Sequence, residues 1–517
     1  MDRNSNRVIL VVMDGVGHRE ESQFNAVKQA GLDFNTPLKT LINASGEWVG
    51  LNKTDMGNSE VGHNTMGAGK IYKQGSALVG ESLKIVKIFN SDVWRKLVNN
   101  VNNNNSTFHL VGLLSDGGVH SDIKHLKNML YNLYLRNVKK VRIHILLDGR
   151  DVEPQSALKY VKDIEDYINL HSFPDYAIAS GGGRMAMIMD RYNADLEMVK
   201  RGFDCVVNGK GNKFQSATQA INSAYSKDKN IVDQDIEPFV IVKDNIPVGL
   251  VNDGDSMLLF NFRADRAVEF SEIFCGNNLK YYILQVPNIM YAGMCKYDGD
   301  NGIPRNYLVE APEIYNTLEE YLIQNGKRTY AVSETQKFGH ITKYFNGNHI
   351  EKFDDYLQTF EEITSYSVPF EQQPEMRAND IKEALIYEIQ TQRYDLLKCN
   401  FANGDMIGHT GDYEATCKAM QTVKECVEEI TQVAKEYGYN LIVLADHGNS
   451  EEMATYKDGK WIPKTSHTTN KVPLYIFTEK NVKLKSGEFG LSNIAKTITD
   501  LMQLEGAADW DESIITK

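Results

Sequence analysis

Several apolar, β-rich runs in this chain end in an acidic or glycine motif. "RVILVVMDGVG" ends at Asp14, "TFHLVGLLSDGGVH" at Asp116 and "VRIHILLDGRD" at Asp148; "DLLKCNFANGDMIGH" ends near Asp405 and "NLIVLADHGNS" at Asp446. Helical patterns lie between several of them. "EATCKAMQTVKECVEEITQVAKEYG" carries apolar residues at three- and four-residue spacing, with Gly438 as its stop. Strand–helix alternation predicts an α/β fold with mostly parallel sheets. Ligands in such sheets gather at the carboxyl ends of the strands, which is where the acidic motifs fall.

A chain of 517 residues predicts two to three domains. With 42% apolar residues it can bury a large core, and its formal charge of −13 argues against nucleic acid as a partner. An anionic substrate must then be met by a local cationic cluster. The six cysteines form no C-x-x-C pair and read as free thiols of a reducing compartment. The run "VILVVM" is too short for a signal segment or a membrane span, and nothing else approaches that length. The expectation is a soluble, cytoplasmic protein with no membrane partner.

Metal-ligand residue types cluster at both ends of the sequence. Asp14 follows one apolar run, "GDMIGHTG" offers Asp405 and His409, "ADHGN" offers Asp446 and His447, and "TSHTTN" offers His467. Each alone is more often a cap, a turn residue or a solvated side chain. Together they could fill two sites of mixed nitrogen and oxygen ligation, suited to Mn²⁺, Zn²⁺, Co²⁺ or Mg²⁺. The stretch "TDMGNSEVGHNTMGAGK" (54–70) holds Ser59 among four glycines and reads as a loop. It matches neither the G-x-S-x-G elbow nor the Walker A loop. A serine hydroxyl is a weak nucleophile without a base or a metal.

The arginine motifs occupy the middle. "DGRD" supplies Arg150 beside Asp151, "GGGRMAMIMDRY" supplies Arg184 and Arg191, and "NFRADRA" supplies Arg263 and Arg266. Guanidinium forks bind phosphate and carboxylate bidentately; the plainer alternative is surface salt bridging. His120 in "SDGGVHSD" joins them as a less specific candidate. This segregation predicts a metal-bearing domain (1–78 and 301–517) interrupted by a substrate-binding domain (79–300).

The motifs "MGNSEVGHNTMGAG", "LLSDGGVHS", "LDGRD", "GGGRMAMIMDRY", "NFRADRA", "ETQKFGH", "NFANGDMIGHTG", "ADHGN" and "SHTTN" occur in an order that resembles cofactor-independent (2,3-bisphosphoglycerate-independent) phosphoglycerate mutases, in their plant-type spelling. The resemblance spans almost the whole chain. It implies an alkaline-phosphatase-like, doubly wound α/β domain interrupted by a second α/β domain, and interconversion of 3- and 2-phosphoglycerate through a phosphoserine. It implies two divalent metals, Mn²⁺ foremost. Asp14, Ser59, Asp446 and His447 would serve one and Asp405, His409 and His467 the other, with Ser59 as nucleophile. His120, Arg150, Asp151, Arg184, Arg191, Arg263, Arg266 and Lys337 become substrate-binding candidates, with Asp151 as acid/base. Family habit implies a monomer. The rival readings are a phosphopentomutase or metal-dependent phosphatase of the same superfamily, and a catalytically silent binding protein; the retained Ser59 and the arginine motifs disfavour them.

Overall fold

The strand Val8–Met13 is buried along its whole length, which is why six consecutive apolar residues can sit in it. It runs at the centre of a sheet, parallel to Leu396–Phe401 on one side and Asn440–Leu444 on the other. Beyond Leu396–Phe401 come Thr329–Glu334 and Gln358–Ile363, also parallel. Beyond Asn440–Leu444 the order closes with two antiparallel pairings, to Val472–Phe477 and then Leu38–Ile42. This computed structural model describes residues 6–516 except 52, 85–86, 191–194, 277–278, 280–281, 299–301, 311, 313 and 458. Among the described residues no helix is long and apolar enough to cross a membrane.

The chain divides into two compact units: Met1–Gln74 with Pro312–Lys517, and Gly75–Ala311. The seven-stranded sheet belongs to the first. Its long covering helix, Tyr413–Glu436, starts at the side-chain cap of Asp412 and stops before Gly438, whose φ is 72°.

The second unit has its own sheet, in the order Tyr307–Val309, Met290–Cys295, Ser256–Leu259, Phe108–Leu113, Lys140–Leu147, Asp175–Gly183, Phe239–Lys243, Asn212–Phe214. The first six strands of that order are parallel. Side chains alternate between two cores: Phe108 and Leu110 enter one, Val111 and Leu113 the other. Period-two alternation with both faces apolar is the mark of a sheet covered on both sides.

One expectation is corrected. The stretch around Ser59 is no loop; Ser59–Ala68 is a helix, capped by the Asn58 side chain accepting from Val61 N at 3.1 Å. Its glycines serve close packing. A Cβ on Gly67 would lie 1.8 Å from the Phe345 carbonyl oxygen, and one on Gly62 2.8 Å from that of Asp446. All but Glu60 of the ten helical residues are buried, so no polar face produces a helical period.

Candidate metal centre and anion site

In the first unit four of the expected ligands stand at the carboxyl ends of adjacent parallel strands. Asp14 follows Val8–Met13, Asp405 sits in the short helix Asn403–Gly408 after Leu396–Phe401, and Asp446 and His447 follow Asn440–Leu444. Asp14, Asp446 and His447 are wholly buried. Three overlapping groups of donor atoms form: Asp405, His409 and His467; Asp14, Asp405 and His447; and Asp14, His63 and Asp446.

The imidazoles are pre-oriented. Nδ1 of His409 donates to Thr465 O at 2.7 Å, that of His467 to Gly57 O at 2.8 Å, and that of His447 to Gly448 O at 3.2 Å. Each ring therefore points Nε2 inward. His409 and His467 Nε2 lie 3.0 Å apart, and both reach Asp405 Oδ1, at 3.0 and 2.9 Å. A shared focus of imidazole and carboxylate donors, with the far ring nitrogen tied to backbone, is the arrangement of a metal site. Asp446 Oδ2 completes no hydrogen bond although fully buried. Its neighbour His63, with Nδ1 at 3.3 Å, donates that hydrogen to Ser59 O at 2.8 Å. This orphaned oxygen, with the donor set around it, fits divalent cations of mixed N/O preference.

Ser59 Oγ lies 3.2 Å from Asp14 Oδ1, 3.0 Å from His447 Nε2 and 2.5 Å from Lys337 Nζ. Lys337 also contacts Asp14 Oδ1 at 2.8 Å and Asp405 Oδ2 at 2.7 Å. It comes from the helix Thr335–Gly339, which continues into the π-helical turn His340–Tyr344. Burial disfavours its charge, but Asp14, Asp405 and Asp446 outweigh that and hold its pKa above the ordinary value. Burial, reinforced by His447, pushes His467 down to about 3. For His447 burial is overcome by Asp446, Asp14 and Asp405, which hold it up at about 9. Asp405 is held well below its usual range against burial by His409, Lys337 and His467.

Sequence reasoning missed His63, Asn400 and Asn449. Asn400 donates to Asp14 Oδ2 at 2.8 Å and lies 3.1 Å from His63 Nε2, and Asn449 donates to Asp405 Oδ1 at 3.3 Å. His63 is four residues from Ser59, which on a helix places both on one side; the signal was present once the helix is known.

In the second unit the arginine motifs also follow parallel strands. Arg184 is 2% exposed, donates to Asp148 Oδ1 at 2.8 Å, and pairs with Asp151 Oδ2. Burial opposes its charge, and Asp151 and Asp148 restore it, raising its pKa. Asp148, outside the expected set, also accepts from Ser115 Oγ at 2.6 Å and from the backbone N–H groups of Arg150 and Asp151 at 3.2 and 3.1 Å. Arg150 and Arg266 each approach Met185 Sδ at 3.9 Å, and Arg266 donates to Met189 O at 2.7 Å. His120 is buried, and its carbonyl accepts from Phe262 N, next to the half-buried Arg263. Arg191 lies outside the described residues.

A family profile described as the metalloenzyme superfamily matches residues 6–506, which sets the class. A probable 2,3-bisphosphoglycerate-independent phosphoglycerate mutase of Leptospira interrogans is 44% identical, over 99% of this chain and 97% of that one. The Trypanosoma brucei brucei and Zea mays mutases of the same name are 39% and 40% identical, each over 98% of this chain and over 97% and 95% of theirs. A crystal structure of Leishmania mexicana phosphoglycerate mutase at low cobalt concentration superposes with a TM-score of 0.84 at 38% identity, covering 100% of this chain and 98% of that one. The chain belongs to the 2,3-bisphosphoglycerate-independent phosphoglycerate mutase family.

Proposed function

We infer that this chain interconverts 3-phosphoglycerate and 2-phosphoglycerate, independently of 2,3-bisphosphoglycerate, through a phosphoserine at Ser59. The observation that carries this reading is the position of Ser59 Oγ, within 3.2 Å of Asp14, His447 and Lys337 together. We assign Asp14, Ser59, Asp446 and His447 to one divalent ion and Asp405, His409 and His467 to the other, with Mn²⁺ as the resident metal. Such ions supply Lewis acidity that lowers the serine hydroxyl pKa and offsets phosphate charge.

Ser59 attacks as its alkoxide, steadied by the Lys337 ammonium. The Ser59 hydroxyl proton passes through solvent to the Asp151 carboxylate; Oγ bonds to phosphorus as the bond from phosphorus to the glycerate 3-oxygen breaks, and that oxygen takes the proton from Asp151. Guanidiniums suit the phosphate and carboxylate of the substrate; Arg150, Arg184, Arg191, Arg263 and Arg266, with His120, take that role in the Gly75–Ala311 unit. The glycerate then presents its 2-hydroxyl, which returns its proton to Asp151 as it takes the phosphoryl group from Ser59. His63 and Asn400 hold Ser59 and Asp14 in place. Free cysteines throughout support a reducing, cytoplasmic setting, and the family resemblance supports a monomer.

An enolase-coupled assay on metal-stripped protein, without 2,3-bisphosphoglycerate, tests the reading. Activity should appear on adding Mn²⁺ and vanish on chelation. Undiminished turnover in protein shown to be metal-free sinks it.

A further inference from the structure

Glu451 lies outside every ligand set above, yet it is fully buried. Its carboxylate accepts four hydrogen bonds from neutral donors on three segments. Oε2 accepts from Gly17 N at 2.9 Å and Asn449 N at 2.8 Å. Oε1 accepts from Asn470 Nδ2 at 2.9 Å and from Thr468 Oγ1. Gly17 belongs to the segment after Asp14, Asn449 follows Asp446 and His447, and Thr468 follows His467. A buried carboxylate is costly unless its lone pairs are satisfied, and here each oxygen takes two donors.

The surrounding backbone is shaped to this carboxylate. A Cβ on Gly17 would lie 2.3 Å from Glu451 Cδ, and one on Gly448 2.4 Å from Oε1. Thr468 N also donates to Gly448 O at 3.1 Å, so the two ligand-bearing loops meet at this point. The hydrogen bonds of Ser59 Oγ go to Asp14, His447 and Lys337, not to Glu451 or its donors.

We propose that Glu451 is a positioning residue that staples the Asp14, Asp446/His447 and His467 segments into one frame, so that both metal sites depend on it. The proposal rests on the metal assignment above. It predicts coupling: loosening this one carboxylate weakens both sites, although it ligates neither. It also separates geometry from charge. In Glu451→Gln the amide oxygen can face Gly17 N and Asn449 N. The amide N–H₂ then faces Thr468 and Asn470, whose hydroxyl and flipped amide can accept. The frame survives in Gln and is lost in Ala.

The test is calorimetric titration of metal-stripped protein with Mn²⁺. Wild type should bind two ions. Glu451→Ala should weaken both by at least tenfold, Glu451→Gln should recover most of that loss, and Glu452→Ala should match wild type. Glu452 is the adjacent control, paired with Lys464 at 3.0 Å. If Glu451→Ala does not fold, Thr468→Val removes one donor and should weaken Mn²⁺ binding in the same direction. Wild-type affinity in Glu451→Ala or Thr468→Val, loss confined to one site, or a Gln variant as weak as Ala overturns the staple while leaving the metal centre intact. A wild-type protein that takes up no Mn²⁺ overturns the centre and the staple together.

Discussion

The two candidate sites treat buried charge in different ways. In the first, Asp14, Asp405 and Asp446 and the inward imidazoles crowd around the ammonium of Lys337, and Asp446 Oδ2 completes no hydrogen bond. In the second, the buried carboxylate of Asp148 is matched by Arg184, Ser115 and two backbone N–H groups, while Arg150 stays exposed and Arg263 and Arg266 half-exposed. One region has acceptors in excess and suits cations. The other pairs its innermost guanidinium, Arg184, with Asp148 and Asp151 and carries further guanidiniums at partly exposed positions. Burial alone does not mark a binding site.

The largest expected effect is at the nucleophile. Ser59→Ala should fold, because the hydroxyl contributes little to the core, and should lose mutase turnover by ~10⁴-fold or more. Mass spectrometry after labelling with phosphorylated substrate should find the adduct on Ser59 in wild type; an adduct on histidine breaks the assignment.

Lys337→Met comes next. Removing one partner of a buried charge cluster costs about 3–5 kcal/mol, so the metal-free variant should melt well below metal-free wild type. Mn²⁺ should narrow that gap, since added cations answer the same carboxylates. A gap unchanged by metal would mean that the acceptors are not a cation site.

A third contrast is in pH. His447 is held up at about 9, above its ordinary 6.5. A raised histidine contributes stability that is full below the unfolded value and is lost as pH rises through the folded one. Metal-free protein should therefore lose this contribution between pH 6.5 and 9. Mn²⁺ must displace the same proton, so its affinity should rise over that window, by up to about tenfold per unit. Parallel slopes for melting and affinity would contradict this.

The smallest effect is in the other unit. On the proposed reading Arg263→Ala removes one charge-assisted contact to the substrate, worth roughly 1.5–3 kcal/mol, and should lower kcat/KM at least about tenfold. It should leave Mn²⁺ binding untouched. Altered metal affinity in this variant would blur the division between the regions.

The strands and the long helix were legible because their burial is periodic or continuous: Val8–Met13, Lys140–Leu147 and Tyr413–Glu436 coincide with the quoted runs. The Ser59 helix was not. Its packing rests on the absence of side chains at Gly62 and Gly67, and a helix buried on all sides carries no polar stripe. Asn400 and Glu451 escaped because they act on partners far along the chain, Asn400 on Asp14 and Glu451 on Gly17, and spacing along a sequence is silent about such pairs.

The register of the central strand carries one more consequence. Val8 pairs with Leu396 and with Asn440, so its neighbours are made almost a whole protein later. At synthesis rates of ~5–20 residues per second, the strand waits roughly 20–80 s for its first central neighbour. Gly75–Ala311 is a continuous segment and can complete its own sheet within that interval. During biosynthesis the nascent chain thus carries an apolar β-strand with both hydrogen-bonding edges open, the kind of segment that invites mispairing and chaperone attention.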